Sequence, residues 1–266
     1  MVTQQDVFDL LRRCGVKSTD TVTVHAALRS VGPIANGADG LIDALKSYLY
    51  EGLLLVPTHT WATVTPENPC FDVRTTQPCI GALAQAAAFR PDGVRSLHPT
   101  HSMAAFGKGA EAYIAGEEKS GTPTPVGGAL SRLYEKGGKV ILLGVGQERN
   151  TYLHAVDERL GIKNRLADEG FDVTVTDRAG NTFVNKGYRP HLTRGLPEGV
   201  PGCSEFFPNF DRAFEACGAV QKDRLGDAPV LVCDAVKMTD QMTKIWSRAD
   251  VDMCLCQMDI PQSWYA

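Results

Sequence analysis

The chain contains no Cys-x-x-Cys pair, no lysine- and arginine-rich stretch, and no apolar run near the ~20 residues of a membrane helix. The first absence argues against a zinc ribbon or a thioredoxin-type redox motif. The second, with a net charge of −4, removes the basic footprint of a nucleic-acid binder. The third leaves no candidate membrane span. Two catalytic signatures are also missing, namely a Gly-x-Ser-x-Gly elbow and a Walker lysine loop. "VILLGVGQERN" carries Gly-x-Gly after a strand, but the third glycine of a dinucleotide loop is absent and Arg149 fills the space before the helix.

At 266 residues, 43% hydrophobic and 22% charged, the sequence is long enough to bury a substantial core in one large α/β domain or two smaller ones. The first residues, "MVTQQDVFDLLRRCG", lack the apolar core of a signal peptide and read as an amphipathic helix with Thr3 as N-cap. The eight cysteines are scattered, and the closest pair, Cys254 and Cys256, lacks zinc-ligand spacing and a nearby histidine. Reduced, structural thiols in a cytoplasmic protein are the expectation.

Helical and strand patterns alternate along the chain. "TVTVHAAL" reads as a strand entering a tight turn, "GADGLIDALKSYLY" as a helix and "GLLLVPT" as a buried strand. This β–α–β opening argues for a helix-covered sheet. A Pro-rich loop spans 57–79, after which "IGALAQAAAF" and "KGAEAYIAG" are helical and "HSMAAFG" is a short strand. "GGALSRLYEKGG" predicts a helix ending at Gly137, "KVILLGVG" a strand, and 150–160 a helix capped by Asn150. "FDVTVTDRAGNTFVNKGY" alternates apolar and polar residues about a turn and predicts a β-hairpin. A helix after Pro208, a strand at "APVLVCDAV" and a helix at "MTDQMTKIWSRAD" complete the pattern. The expected fold is a single α/β domain, a three-layer α/β/α sandwich with a central mixed sheet and a β-rich insertion near 165–200.

Three clusters could carry chemistry. In "NTYLHAVDE" the helical period puts Asn150, Thr151, His154, Asp157 and Glu158 on one face, opposite Leu153, Val156 and Leu160. That face fits a solvated helix surface, half of a metal site, or a catalytic base oriented by a neighbouring acid. Its place after a buried strand, where α/β sheets set their ligand sites, suits the last. "RSLHPTHSMAAFG" brackets a proline-stiffened turn with Ser96, His98, His101 and Ser102, which suits either loop structure or contact with a ligand. "VHAALRSVG" ends a strand on the small residues Ala26 and Ala27, where backbone N–H groups could approach a phosphate, and "PTHT" with Thr58 ends the next strand in the same manner.

Taken in order, these segments resemble the aminoglycoside 3-N-acetyltransferase family. "VHAALRSVG" is similar to its Val-His-Ser-Ser-Leu turn, "TTQPCIGALAQ" to its Thr-x-Pro-x-x-Gly segment, and "RSLHPTHSMAAFGKGA" to its Arg-Ser-x-His-Pro-x-x-Ser block. "VPTHT", "GTPTPVGGALSRLYEKGGKVILLGVG" and "NTYLHAVDE" match other family blocks, so the likeness covers residues 20–160 closely and the remainder loosely. It implies acetyl-CoA as co-substrate, no metal, and a cationic small-molecule amine on a 2-deoxystreptamine antibiotic as acceptor, in a monomer or homodimer. It further implies His154 as general base with Asp157 orienting it, at a position where the family usually has glutamate. Ala26, Ala27, Leu28 and Thr58 would bind the coenzyme, with Ser96, His98 and Ser102 along its pantetheine arm. Asp157, Glu158, Glu205 and Asp211 would meet the acceptor. The family's paired serines are Ala26 and Ala27 here, which removes both hydroxyls. Two other functions stay open: an acyl-enzyme hydrolase or transferase using a Ser or Cys beside His154, and a ligand-binding protein with a degenerate site.

Overall fold

The computed structural model describes residues 1–192, 202–249 and 259–266. Helix α1 (Gln4–Arg13) starts with a capping box in which Thr3 and Asp6 bond each other's backbone N–H. Then come β1 (Thr21–Ala26), the short α2 (Leu28–Val31), α3 (Gly37–Tyr48) and β2 (Leu53–Pro57). β3 (Cys70–Asp72), α4 (Ala82–Ala88), β4 (Val94–Arg95), β5 (Met103–Gly107), α5 (Ala110–Ile114) and α6 (Arg132–Glu135) follow. The remaining elements are β6 (Lys139–Leu143), α7 (Tyr152–Leu160), β7 (Phe171–Thr176), β8 (Thr182–Tyr188), α8 (Asp211–Ala216), β9 (Val220–Leu225), β10 (Ala228–Asp234) and α9 (Ala235–Trp246).

Seven strands form the central sheet in the order β4-β5-β2-β1-β6-β10-β9. β1 is parallel to both β2 and β6, and the outer strands join antiparallel. The mixed sheet and its helical cover match the expected three layers. In β6, Val140 and Leu142 enter one core with α6, α7 and α9, while Ile141 and Leu143 enter the other with α1 and α3. Burial on both faces explains why "KVILL" shows no alternation. A chain leaving β1 toward β2 and later returning to β6 on β1's other side opens a crevice at the carboxyl ends of these strands, where such sheets bind ligands.

The expected hairpin is β7–β8, and it joins a second, three-stranded sheet. Its third strand is β3, paired in parallel with β7, so the Pro-rich loop 57–79 contains a strand that its composition did not announce. β9 was also not anticipated. Its "VQKDRL" is polar on most positions because it lies at the sheet edge, where only β10 pairs with it. The predicted helix 127–138 shrinks to Arg132–Glu135. Just ahead of it, Glu117 Oε1 accepts the Ala129 N–H at 2.7 Å. At residue 150 the expected cap appears in modified form. Asn150 Oδ1 accepts from the Tyr152 N–H at 3.2 Å, although the helix proper starts after Thr151. The tail of the β-rich insertion, 193–200, and the pair Cys254 and Cys256 lie outside the described residues, while the six described cysteines are free thiols.

Candidate active site

All six histidines of the chain gather at the carboxyl edge of β1, β2 and β6. His25 ends β1, and His59 follows β2. The His59 and His101 rings lie 4.5 Å apart between centroids, His101 and His98 5.8 Å, and His101 and His191 5.4 Å. His191 in turn stacks on His154 at 4.1 Å with an interplanar angle of 27°. No sequence spacing announces this cluster, because its members come from five separate segments.

His154 sits one turn into α7, whose Leu153 and Val156 are buried in the core and fix the helix rotation. The edge of its ring meets Phe207 at 4.8 Å, and its Nδ1 lies 3.8 Å from Cys203 Sγ. Burial, with His191, Arg165 and His59 nearby, pulls its pKa well below 6.5 and leaves the imidazole neutral at pH 7. A helix N-terminus acts in the same direction.

The two acids of "NTYLHAVDE" behave differently from a solvated face. Asp157 is fully buried and its Oδ2 accepts from Arg165 Nε at 2.6 Å, an ion pair with both partners inside the protein. Arg165 thus holds Asp157 inside the protein. Glu158 accepts from the Thr122 hydroxyl, from Thr124 N at 2.8 Å and Oγ1 at 2.6 Å, and from His191 Nε2 at 3.3 Å. Four donors hold its pKa down against burial.

The 95–102 loop is likewise built inward. Arg95 donates to Thr58 Oγ1 at 3.2 Å, to Ser102 Oγ at 3.2 Å and to the Thr58 carbonyl at 3.1 Å. Ser96 Oγ accepts from Met103 N at 3.0 Å. Thr58, Ser96 and Ser102 are at most 1% exposed, and their hydroxyls help hold the loop. His98 Nδ1 accepts from the Thr100 and His101 N–H groups, so Nε2 carries the proton and donates to the Thr122 carbonyl at 3.0 Å. Burial lowers the His98 and His25 pKa values to about 4.

At the β1 end, the Ala27 N–H already donates to Leu143 O at 2.9 Å, which corrects its assignment as a phosphate donor. Gly144 follows β6 at φ +69°, and a Cβ there would stand 1.8 Å from Ser30 Oγ. That close approach seals the two loops together below Ala26 and Leu28. Glu205 is exposed. The charged groups that set the pKa of Asp211, raised to about 6 chiefly by burial, are Glu215, Lys222 and Glu148, which separates it from the histidine cluster. An open cleft lies beside Glu158, with Lys163, Arg165, Asp168 and Arg189 on its walls. Among the described residues, no group of three or more metal-ligating side chains is assembled, and no helix is long and apolar enough to cross a membrane.

The family model for aminoglycoside 3-N-acetyltransferases matches residues 23–247. The chain belongs to this family. The aminoglycoside N(3)-acetyltransferase III of Serratia marcescens is 31% identical over 172 residues, covering 58% of this chain and 64% of that protein. The type VII enzyme of Streptomyces paromomycinus is 32% identical over 165 residues, covering 54% of this chain and 56% of that one. The matched part thus spans less than two-thirds of these relatives. In three dimensions the crystal structure of the aminoglycoside acetyltransferase AAC(3)-Xa superposes with a TM-score of 0.69 at 26% identity, over 90% of each chain. The AAC-IIIb structure superposes with a TM-score of 0.73 at 23% identity, over 94% of this chain and 98% of that one, and attests the fold.

Sequence reasoning named His154, His98 and Glu158 at the centre of this cluster. It did not single out His59, His191, Arg165 or Cys203. A shortage of histidine was the available signal, because six in 266 residues make a polar, titratable cluster notable once any two converge.

Proposed function

We propose that this chain is an acetyl-CoA-dependent N-acetyltransferase that acetylates the 3-amino group of a 2-deoxystreptamine aminoglycoside by direct transfer, with His154 as general base. The observation that carries the proposal is a neutral imidazole, packed against Phe207 and His191, at the carboxyl edge of the sheet in a chain of this family. An ammonium acceptor must lose a proton before its nitrogen has a lone pair to donate. The ammonium gives one proton to solvent, and as the free amine attacks the thioester carbonyl and its nitrogen becomes cationic, His154 takes the second proton. Its depressed pKa makes the transfer uphill from a resting ammonium. Proton loss therefore accompanies N–C bond formation, which acidifies the nitrogen. The C–S bond then breaks, and the imidazolium returns its proton to the departing thiolate.

For the coenzyme, the N–H groups of Leu28 and Arg29 at the start of α2 and the exposed Arg29 guanidinium supply positive character beside Ala26. Thr58, Ser96, His98 and Ser102 serve by fixing the loop. AAC-IIIb, a protein of this fold, was solved in a binary complex with coenzyme A, which supports the donor. AAC-VIa, also of this fold, was solved bound to sisomicin, which supports an aminoglycoside acceptor.

A second reading keeps the reaction and changes the acceptor to another primary amine. The cleft favours it, because among the described residues Lys163, Arg165 and Arg189 outnumber Asp168 and Glu158 on its walls, with no acidic excess for a polycation. A thiol-release assay with acetyl-CoA across gentamicin-, tobramycin- and apramycin-type antibiotics and simple amines separates the two readings. Turnover with an aminoglycoside supports the first. Turnover with simple amines alone supports the second, and thiol release without any amine refutes both.

A further inference from the structure

Both acids after His154 act on one residue. Asp157 holds the Arg165 guanidinium, and the backbone around Arg165 carries His191: the Leu192 N–H donates to Arg165 O at 2.8 Å, Leu166 bridges to His191, and the Ala167 N–H donates to Pro190 O at 2.9 Å. Glu158 accepts the His191 Nε2–H at 3.3 Å and is itself held by Thr122 and Thr124. The His191 ring, pulled at its backbone by one acid and at its Nε2 by the other, lies flat on His154. Asp157 and Glu158 belong to the same helix as His154. The loop of contacts therefore begins and ends on α7.

We propose that His191 is the positioning residue of the site: α7 reaches out through Asp157–Arg165 and Glu158 to clamp a second imidazole against the face of His154 and so fixes the plane of the base. This role rests on the reading of His154 as general base.

The clamp confines His154 to rotations that keep its ring parallel to His191 with Nδ1 near Cys203. A base must meet its proton along the lone pair of its ring nitrogen, and misplacement by about 1 Å costs ~10²-fold in rate. The stack also carries an electrostatic signature. The charged or titratable groups acting on His154 are His191 on its face, Arg165 from the 165–167 segment, His59 from the β2 end and Cys203 at Nδ1. Around His191 stand Glu158 at Nε2, His101 at its ring edge, and His59 and His98 from the loops. His191 helps hold the His154 pKa down, so its removal makes His154 more basic.

The test compares His191→Ala and His191→Phe with wild type in kcat, KM for acetyl-CoA and the pH dependence of kcat/KM, alongside His154→Ala and thermal melting. His191→Ala loses the face and is expected to lower kcat by ~10²-fold with little change in KM. His191→Phe keeps an aromatic face and loses the ring nitrogens. It should lose less turnover than the alanine variant, and the acid-side midpoint of its pH profile should move up. A merely structural role would not move that midpoint. Wild-type kcat and midpoint in a folded His191→Phe, with His154→Ala inactive, would overturn the positioning role and leave the base intact. An active His154→Ala would overturn the base and the role together.

Discussion

Lowering the pH from 7.5 to 5.5 should destabilise this protein far more than its modest charge suggests. Five histidines have pKa values held below the ordinary 6.5: His25 and His98 at about 4, and His59, His101 and His154 well below 6.5. In each, burial is the leading cause, because the charged imidazolium cannot be solvated inside the cluster. The unfolded chain takes up protons near pH 6.5 while the folded chain does not. Folded stability is therefore complete above that pH and is lost as the pH falls below it. At pH 5.5 each unfolded histidine is about nine-tenths protonated, which stabilises the unfolded chain by about 1.3 kcal/mol relative to pH 7.5. For His25 and His98, with pKa values of about 4, the folded imidazole is almost unprotonated at 5.5, and burial acts in the same direction on the other three. His25 and His98 alone contribute about 2–3 kcal/mol and the other three add in the same direction, a sizeable share of the 5–15 kcal/mol of a typical domain. Asp211, raised to about 6, works in the opposite sense and returns less than about 1 kcal/mol. Urea unfolding at pH 7.5, 6.5 and 5.5, followed by tryptophan fluorescence and far-UV circular dichroism, measures the loss directly. A change below about 2 kcal/mol over that range would show that the histidines are not neutral and buried together, and the electrostatic account of the site would fall.

Other consequences can be measured independently. Asp157→Ala leaves the Arg165 guanidinium buried without its carboxylate and should cost about 3–5 kcal/mol in urea unfolding; a loss under about 1 kcal/mol would contradict a fully buried pair. Gly144→Ala places a Cβ against Ser30 at a positive φ, so a stability loss of at least about 1–2 kcal/mol is expected, and a neutral result would mean the loops separate easily. Protein incubated with acetyl-CoA and no amine should keep its unmodified intact mass, because direct transfer needs no acetyl-enzyme. An acetyl adduct on Cys203, whose Sγ lies 3.8 Å from His154 Nδ1, would establish a covalent route instead.

The legible parts of this molecule were those with local causes. Thr3 and Asp6 specify the start of α1 through side chains three residues apart, and "KVILL" announces a strand covered on both faces by apolar continuity. The hairpin β7–β8 showed itself by alternation about Asp177–Asn181. β3 and β9 escaped notice because their strand character comes from a partner distant in sequence. The site divides along the same line. Helical period and family likeness point to His154, but the period cannot tell a solvated face from one covered by another segment. His191 covers that face from 37 positions away, and Arg165 turns Asp157 inward from 8. The hydroxyls of Ser102 in the 95–102 loop and of Thr58 after β2 looked like ligand contacts because hydroxyls suit both roles. Arg95, placed among them by the fold, uses them internally.

The most direct test of the central claim is the acetyl-CoA-dependent turnover of His154→Ala with a saturating amine acceptor, measured with coenzyme A binding by titration calorimetry on the same protein. Loss of general-base catalysis predicts a fall in kcat of about 10²–10⁴-fold while coenzyme A binds as in wild type. Turnover within a fewfold of wild type would contradict the account, because no other residue has been assigned the proton.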